Sequence, residues 1–548
     1  ATRSSPPAQG WQSLTDHEDN TMNAELRPSS LQLVAQLEAL LGKEHVLTDA
    51  TERTFYSTDI YHAGELPLAV VRPATTADVA QLVQLCAANG VAVVPRGGGA
   101  SYTDGYAPAE AGSISIDTSR MTRILELNER DMYVVVQSGV TWATLNETLA
   151  AKGLRTPFYG PFSGLAATVG GSLSQNSVTW GTGVFGVSGE STLGVEVVLA
   201  HGETIRTGSW GAANGLPFLR SYGPDLTGLF MGDCGALGVK TAISLRLMRR
   251  NSHVMGVSFG FRSFESMAAG MEAAAKEGLN LTNFGLDPAL QQGQLGKADV
   301  ATAVQSAVAV WKTSRGLFDG LGQLAKMAFA GRGFLKGAVF SAHWVVDGLD
   351  DASCRAAVAR LRAALQPHGA EVPATVPTVA HAMPFMPLYN VRSPLGERWV
   401  PVHGILPFSR VAAFREELSA YYAAHEAEMA RLKIRYGAMF MTVSTNAFLY
   451  EPVFYWQDGY NITQERLLPQ GYQATLPNYA DNPEGRALVD KMKHGIADIF
   501  QRHGAAHLQI GKFYPYMRGR EPQTAKLIRD LKQLVDPQRR LNPGSLGL

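Results

Sequence analysis

Three glycine-rich stretches are the residues here best suited to chemistry. Pro95-Arg96-Gly97-Gly98-Gly99-Ala100-Ser101-Tyr102-Thr103-Asp104-Gly105 comes first, and Thr168-Val169-Gly170-Gly171-Ser172-Leu173-Ser174-Gln175-Asn176 second. Met231-Gly232-Asp233-Cys234-Gly235-Ala236-Leu237-Gly238-Val239 is the third. Glycines let the backbone take positive φ and come close to a ligand. Successive N–H groups can then converge on an anion such as a pyrophosphate. Taken singly, each stretch is also compatible with a tight turn. Three of them between residues 95 and 239 are hard to explain that way, and a large planar cofactor with a diphosphate needs this kind of contact.

A fourth stretch, Gly181-Thr182-Gly183-Val184-Phe185-Gly186, formally matches the dinucleotide fingerprint G-x-G-x-x-G. That fingerprint works only between a strand and a helix. SQNSVTW precedes it and VSGESTLG follows it, so a Rossmann site is not expected.

The elements that must hold these loops can be read from periodicity. Apolar spacing predicts a helix from residue 30 to 41. LPLAVVRP then reads as a strand, TTADVAQLVQLCAANG as a helix N-capped at Thr76, and VAVVP as a buried strand running into the first loop. Further strands are expected at residues 113–117 and 132–140, a helix over 140–153, and a hairpin over 194–208 turned at His201-Gly202. Strands and helices mix irregularly, which points to an α+β fold. Beyond residue 254 the glycine loops cease and helices alternate with strand-like runs such as FSAHWVVDG and RWVPVHGILP. The expected organisation is a disordered leader over 1–29, a cofactor-binding domain over 30–254, an inserted domain over 255–480, and a return to the first domain over 481–548.

Composition excludes several classes. Lys and Arg number 48, as do Asp and Glu, which gives no electrostatic reason to expect nucleic acid as a partner. Cys86, Cys234 and Cys354 are far apart, so a disulfide framework, a zinc site and an iron–sulfur cluster are not expected. No apolar run is long enough for a transmembrane helix. A cytoplasmic location is expected, with a periplasmic one left open.

In this order the motifs P-x-G-G-G-x-S, T-V-G-G-x-x-x-x-N and G-x-x-G-x-L-G-V-x-T, closed by D-P-x-x-x-L-N-P-G at residues 536–544, resemble the vanillyl-alcohol oxidase / p-cresol methylhydroxylase superfamily. The resemblance covers roughly residues 66–250 and 504–548. It implies an FAD-binding domain of two subdomains with an inserted α+β cap over the substrate. By position, Pro95, Arg96, Gly97, Gly98, Gly99, Ala100, Ser101 and Tyr102 should wrap the pyrophosphate. Gly170, Gly171, Ser172 and Asn176 should lie near the ribityl chain and isoalloxazine. Gly186, Glu190, Gly235, Gly238 and Val239 should line the adenosine half and the diphosphate. Asn542 should sit near the flavin dimethylbenzene edge or close the domain. Some relatives attach the flavin through a histidine where this chain has Ala100, or through a cysteine near Pro161-Phe162, where there is none. Noncovalent FAD is expected, with attachment through a cap residue left open.

In the family, Tyr, His and Arg of the cap and of the segment before the last helix cover the flavin. The matching candidates for the chemical step are Arg398, His403, Tyr514, Tyr516 and Arg518. Histidine suits a base near neutral pH. Tyrosine hydroxyls suit a phenolate, and arginine suits a carboxylate. If residues 513–518 form a strand, Tyr514 and Tyr516 share a face. Each candidate also has a structural reading: His403 as a buried hydrogen-bonded histidine, Arg518 as a solvated ion-pair partner.

The expected activity is FAD-dependent oxidation of a phenolic or benzylic alcohol or alkylphenol. The alternatives are a D-2-hydroxy acid dehydrogenase and a flavin-binding electron-transfer subunit. No metal is indicated. The expected partners are a small-molecule substrate and, as acceptor, oxygen or a protein or quinone. A homo-oligomer stays open.

Overall fold

The computed structural model describes residues 28–295 and 339–548. The expected leader lies outside them, apart from its last two residues, which open the helix Pro28–Leu41. Strands Val46–Leu47, Ala69–Val71, Ile114–Asp117 and Val93–Arg96 lie side by side in that order. Ala69–Val71 and Val93–Arg96 each run parallel to Ile114–Asp117, which inserts between them. The helix joining them, Thr76–Ala88, is capped by Thr75, one residue before the expected position. Thr75 and Asp78 satisfy each other's backbone N–H in a capping box. Val79, Leu82, Val83 and Cys86 are the buried side of that helix.

A second sheet is antiparallel, in the order Ile124–Asn128, Tyr133–Gln137, Val239–Arg246, Thr192–Val198, Thr204–Arg206. The first glycine loop leaves the strand Val93–Arg96, the second opens the helix Val169–Gln175, and the third feeds Val239–Arg246. A Cβ on Gly235 would lie 2.6 Å from Pro95 Cγ, and one on Gly97 would lie 2.4 Å from Thr168 Oγ1. The three loops therefore meet at the seam of the two sheets. Gly181 caps a single helical turn, Thr182–Phe185, with no strand before it.

The cap is an eight-stranded antiparallel sheet. Its order is Ala370–Val372, His253–Phe261, Phe340–Gly348, Thr282–Leu286, Arg435–Val443, Ala447–Trp456, Arg398–Pro401, with Gly404–Pro407 also on Ala447–Trp456. The expected boundary at residue 255 falls inside the strand His253–Phe261. One face of the sheet packs under the helices Phe264–Lys276, Asp351–Leu365, Val411–Arg431 and Pro483–Arg502. Leu488, Val489, Met492, Ile496 and Phe500 of the last helix belong to this core, so the chain leaves the cap after residue 502 rather than at 481. The other face meets the loop-bearing sheets, where Val178 packs with Met441 and Leu449, and Phe162 with Phe284 and Val453. Among the described residues no helix is long and apolar enough to cross a membrane.

The chain ends as a clasp. Val93 N–H donates to Arg540 O and Asn542 N–H to Val93 O, each at 2.8 Å, so the tail lies along the strand that feeds the first loop.

Candidate active site

The first loop is buried or half-buried, yet no backbone N–H of residues 97–103 donates to any described residue. Buried amides without acceptors are costly and rare. Seven in succession beside three glycines form a concave donor surface suited to a diphosphate. Gly98 is required by close approach, because a Cβ there would stand 1.8 Å from Ala166 O.

The second loop differs. Val169 N–H donates to Val140 O, Gly170 N–H to Ser138 O and Gly171 N–H to Thr168 Oγ1. Ser172 Oγ accepts from Trp142 Nε1 at 2.7 Å. This loop is held by the protein and sets the floor of the seam. Its last residue, Asn176, has φ 53° and a buried Oδ1 without a partner, and it lines the cleft described below. In the third loop Asp233 and Lys240 form a fully buried ion pair at 2.5 Å. Gly235 N–H donates to Asp233 Oδ1. Gly238 packs against Val197, and Val239 joins the core.

The remaining expected residues make contacts of their own. Arg96 lies against Gly99 of the loop, where a Cβ would stand 2.7 Å from its Nη2, and its guanidinium is caged by Phe55, Tyr56 and Tyr106 and bonds to Phe55 O at 2.9 Å. Glu190 is exposed, and Gly186 faces Ser444 of the cap. Asn542 closes the domain: its Nδ2 donates to Gly105 O at 2.7 Å and Cys234 O at 2.6 Å, tying the first loop to the third. Lys512 Nζ donates to its Oδ1 at 2.8 Å.

A cleft of about 1010 Å³ opens beside the loops, lined among others by Gln175, Asn176, Met231, Asp233, Gln509 and Tyr516. Gln509, which sequence reasoning missed, links its wall to the first loop. It accepts from Ser101 Oγ at 3.1 Å and donates to Tyr102 Oη at 3.2 Å.

Of the five catalytic candidates, the structure brings His403 and Tyr514 together. His403 falls in the two-residue gap between the strands Arg398–Pro401 and Gly404–Pro407, both paired with Ala447–Trp456. Both flanking strands keep one register, Pro401 with Val453 and Gly404 with Tyr450, which sets His403 opposite Glu451. Val402 donates to Pro452 O, so His403 is the neighbouring pair without ladder bonds. Its backbone groups point off the sheet edge. Its N–H donates to Tyr514 Oη at 2.7 Å, and its carbonyl lies 2.9 Å from His507 Nδ1. Tyr514 stacks on His507, with centroids 4.0 Å apart. Having accepted that bond, Tyr514 Oη donates to His403 Nδ1 at 3.2 Å, which assigns the His403 proton to Nε2. Nε2 is buried without a partner. Tyr102 packs edge-on to both His403 and Trp399.

Tyr516, Arg518 and Arg398 stand apart from this cluster. Residues 513–518 form turns rather than a strand, so Tyr514 and Tyr516 share no strand face. Tyr516 lies on Arg520 at the cleft. Arg518 is exposed, bonding Asp498 and Gln501. Arg398 is buried in a pair with Asp458 at 3.1 Å and bonds Tyr61 O. Among the described residues no three His, Cys, Asp or Glu side chains group as metal ligands.

Burial pushes the His403 pKa down to about 3 and that of His507 to about 4. Both are neutral at pH 7, whereas unfolded histidine titrates near ~6.5. The unfolded chain then binds more protons below that pH. Stability from the two neutral rings is therefore present above ~6.5 and lost as pH falls through about 4 and 3. Denaturant titrations from pH 7 to pH 4 are expected to show falling stability, with a shallower fall in His507→Gln.

Comparison with known proteins agrees with this geometry. Residues 67–208 match the family model described as an FAD binding domain. An uncharacterised FAD-linked oxidoreductase of Mycobacterium tuberculosis is 31% identical over 250 residues, 45% of this chain and 52% of its own. The mitochondrial D-lactate dehydrogenase (cytochrome) of Arabidopsis thaliana is 28% identical over 49% of this chain and 46% of its own. The chain thus spans about half the length of the curated relatives it matches. The crystal structure of p-cresol methylhydroxylase with substrate bound has a TM-score of 0.69 at 18% identity, covering 96% of this chain and 98% of the other, which establishes the fold. The free amides of the first loop and the family match agree on FAD as the cofactor. Residues 67–208 therefore form an FAD binding domain, and the chain has the fold of p-cresol methylhydroxylase.

Proposed function

We propose that this chain is an FAD-dependent oxidoreductase acting on a small phenolic or benzylic substrate, held between the first loop, the inner face of the cap sheet and His507 to Tyr514. The observation that carries the cofactor half of the reading is the run of free amides over residues 97–103. FAD, when bound, supplies a two-electron hydride acceptor at N5. The electrons then pass to oxygen or to an acceptor protein or quinone.

The residues of the cluster fit a neutral aromatic hydroxyl compound. Tyr102 and Trp399 offer apolar ring surface. His403 offers a preoriented Nε2–H, which stabilises an oxygen as it gains negative charge. Tyr514 acts through His403 and is a positioning residue. The D-lactate dehydrogenase relative supports a second reading, a D-2-hydroxy acid as substrate. A carboxylate there would want a free cation. Arg398 is committed to Asp458, and Lys493 rests on the rings of Tyr61 and Phe513. Glu451, opposite His403, would repel a carboxylate. These observations favour the phenolic reading.

The test is anaerobic. The purified protein should be yellow, and its visible band should bleach with 4-alkylphenols or benzylic alcohols faster than with D-2-hydroxy acids. The opposite order would overturn the substrate class. A yellow protein that none of them reduces would be an electron-transfer subunit, and the enzymatic reading would fall. Tyr514→Phe removes the bonds that orient His403. One net hydrogen bond of about 1 kcal/mol corresponds to a roughly fivefold slower reduction. FAD content should be unchanged. An unaltered reduction rate would remove Tyr514 from the site.

A further inference from the structure

On the inner face of the cap sheet, one residue is out of place chemically. Along the strand Ala447–Trp456 the side chains of Leu449, Glu451, Val453 and Tyr455 share a face, since alternate residues of a strand do. Leu449 and Val453 pack toward the loop-bearing sheets with Val178 and Phe162, so Glu451 between them points the same way. Its cross-strand neighbour on the other side is Met439, also apolar. Glu451 makes no hydrogen bond or ion pair with any described residue. It lies deep beneath the molecular surface yet keeps part of its own surface accessible, so it faces open space rather than packed atoms.

Taking a carboxylate out of water without a partner is expensive, and proteins retain such a group where it is used. We propose that Glu451 is the catalytic residue that accepts the hydroxyl proton of the substrate, beside the Nε2–H of His403 that holds the same oxygen. The inference rests on the proposed oxidoreductase reading. For a 4-alkylphenol the balance is complete. The phenolic O–H breaks and its proton passes to the Glu451 carboxylate. A benzylic C–H breaks and its two electrons leave with the hydrogen as hydride to FAD. The substrate becomes a neutral quinone methide.

Two features of the structure support the assignment. The pair opposite Glu451 is a position without ladder bonds, where Cα atoms approach to about 4.5 Å and side chains are closest. That brings His403 and Glu451 to one substrate oxygen with complementary roles, donor and acceptor. Burial also pushes the Glu451 carboxyl up to about 7, which leaves it a base strong enough to take a proton and still partly ionised at neutral pH.

Glu451→Gln keeps the shape and removes the base, and Glu451→Asp keeps the base and shortens its reach. Both should be yellow with an unchanged visible spectrum. Flavin reduction by a 4-alkylphenol should rise with pH through about 7 in the parent protein. In Glu451→Gln it should be slower by about 10²-fold or more and lose that rise, while Glu451→Asp recovers part of the rate. A readout independent of turnover is infrared titration. The carbonyl band of a protonated carboxylic acid that disappears as pH rises through about 7 should be present in the parent and missing in Glu451→Gln. Equal rates and pH profiles in parent and Glu451→Gln would overturn this assignment alone. A parent protein that no phenol or alcohol reduces would overturn the functional reading, and this assignment with it.

Discussion

Gly98→Ala is expected to yield a folded, colourless protein. The added Cβ would stand 1.8 Å from Ala166 O and 2.6 Å from its carbonyl carbon. Both are backbone atoms of the segment leading into the second loop, so no side-chain rotation relieves the clash and the first loop must move. Moving it spoils the convergence of the amides over residues 97–103. A hydrogen bond to a charged phosphate contributes about 1.5–3 kcal/mol. Losing two of them weakens FAD binding by about 10²-fold or more, at 1.4 kcal/mol per factor of ten. The cores of the two sheets and of the cap do not include the loop glycines, so far-ultraviolet circular dichroism should match the parent. Gly471→Ala is the control, since its Cβ would meet nothing within 4 Å, and it should stay yellow. Full FAD retention by Gly98→Ala would refute the placement of the diphosphate on this loop.

The parts legible in the sequence are those with local causes. A glycine run following a buried strand shows the first loop because both the strand and the need for close approach are written within ten residues. The helix Thr76–Ala88 is legible for the same reason, and the expected start misses by one residue because Thr75 accepts from Asp78 N–H while the Thr76 hydroxyl donates to Glu196, far along the chain. What escaped depends on partners far along the chain. Arg96 looks like a phosphate ligand until Phe55 and Tyr56 close over it. Arg398 looks free until Asp458, sixty positions on, takes it. Alternation of Tyr514 and Tyr516 suggested a strand, but Tyr516 N–H turns back to Tyr514 O and Arg518 N–H to Pro515 O. Glu451 did leave a signal, a lone acid inside the apolar run AFLYEPVFYW. Its meaning needed the register that sets it against His403, which no local pattern encodes.

The same distinction explains the C-terminal motif, and it leads to the second large effect. The Asp536 side chain accepts from Arg540 N–H at 2.9 Å and Leu541 N–H at 2.8 Å, folding the tail so that Leu541 and Asn542 reach the strand feeding the first loop. Lys532 balances that carboxylate. Its Nζ donates to Asp536 Oδ2 at 2.6 Å, to Leu541 O at 3.0 Å and to Ala236 O of the third loop at 2.7 Å. The two side chains are 2% and 0% exposed, so neither charge has water to fall back on. Lys532→Met keeps the volume and strands the Asp536 carboxylate. Removing one partner of such a buried pair costs about 3–5 kcal/mol. Equilibrium denaturation should register that loss. FAD should also dissociate faster, because the tail that carries Asn542 no longer holds Gly105 and Cys234 together. Adding Asp536→Asn removes the stranded charge, so the double variant should lose less than the sum of the single losses. A Lys532→Met protein as stable as the parent would mean that the tail is held by Leu541 packing alone and that the ion pair contributes nothing to closing the domain.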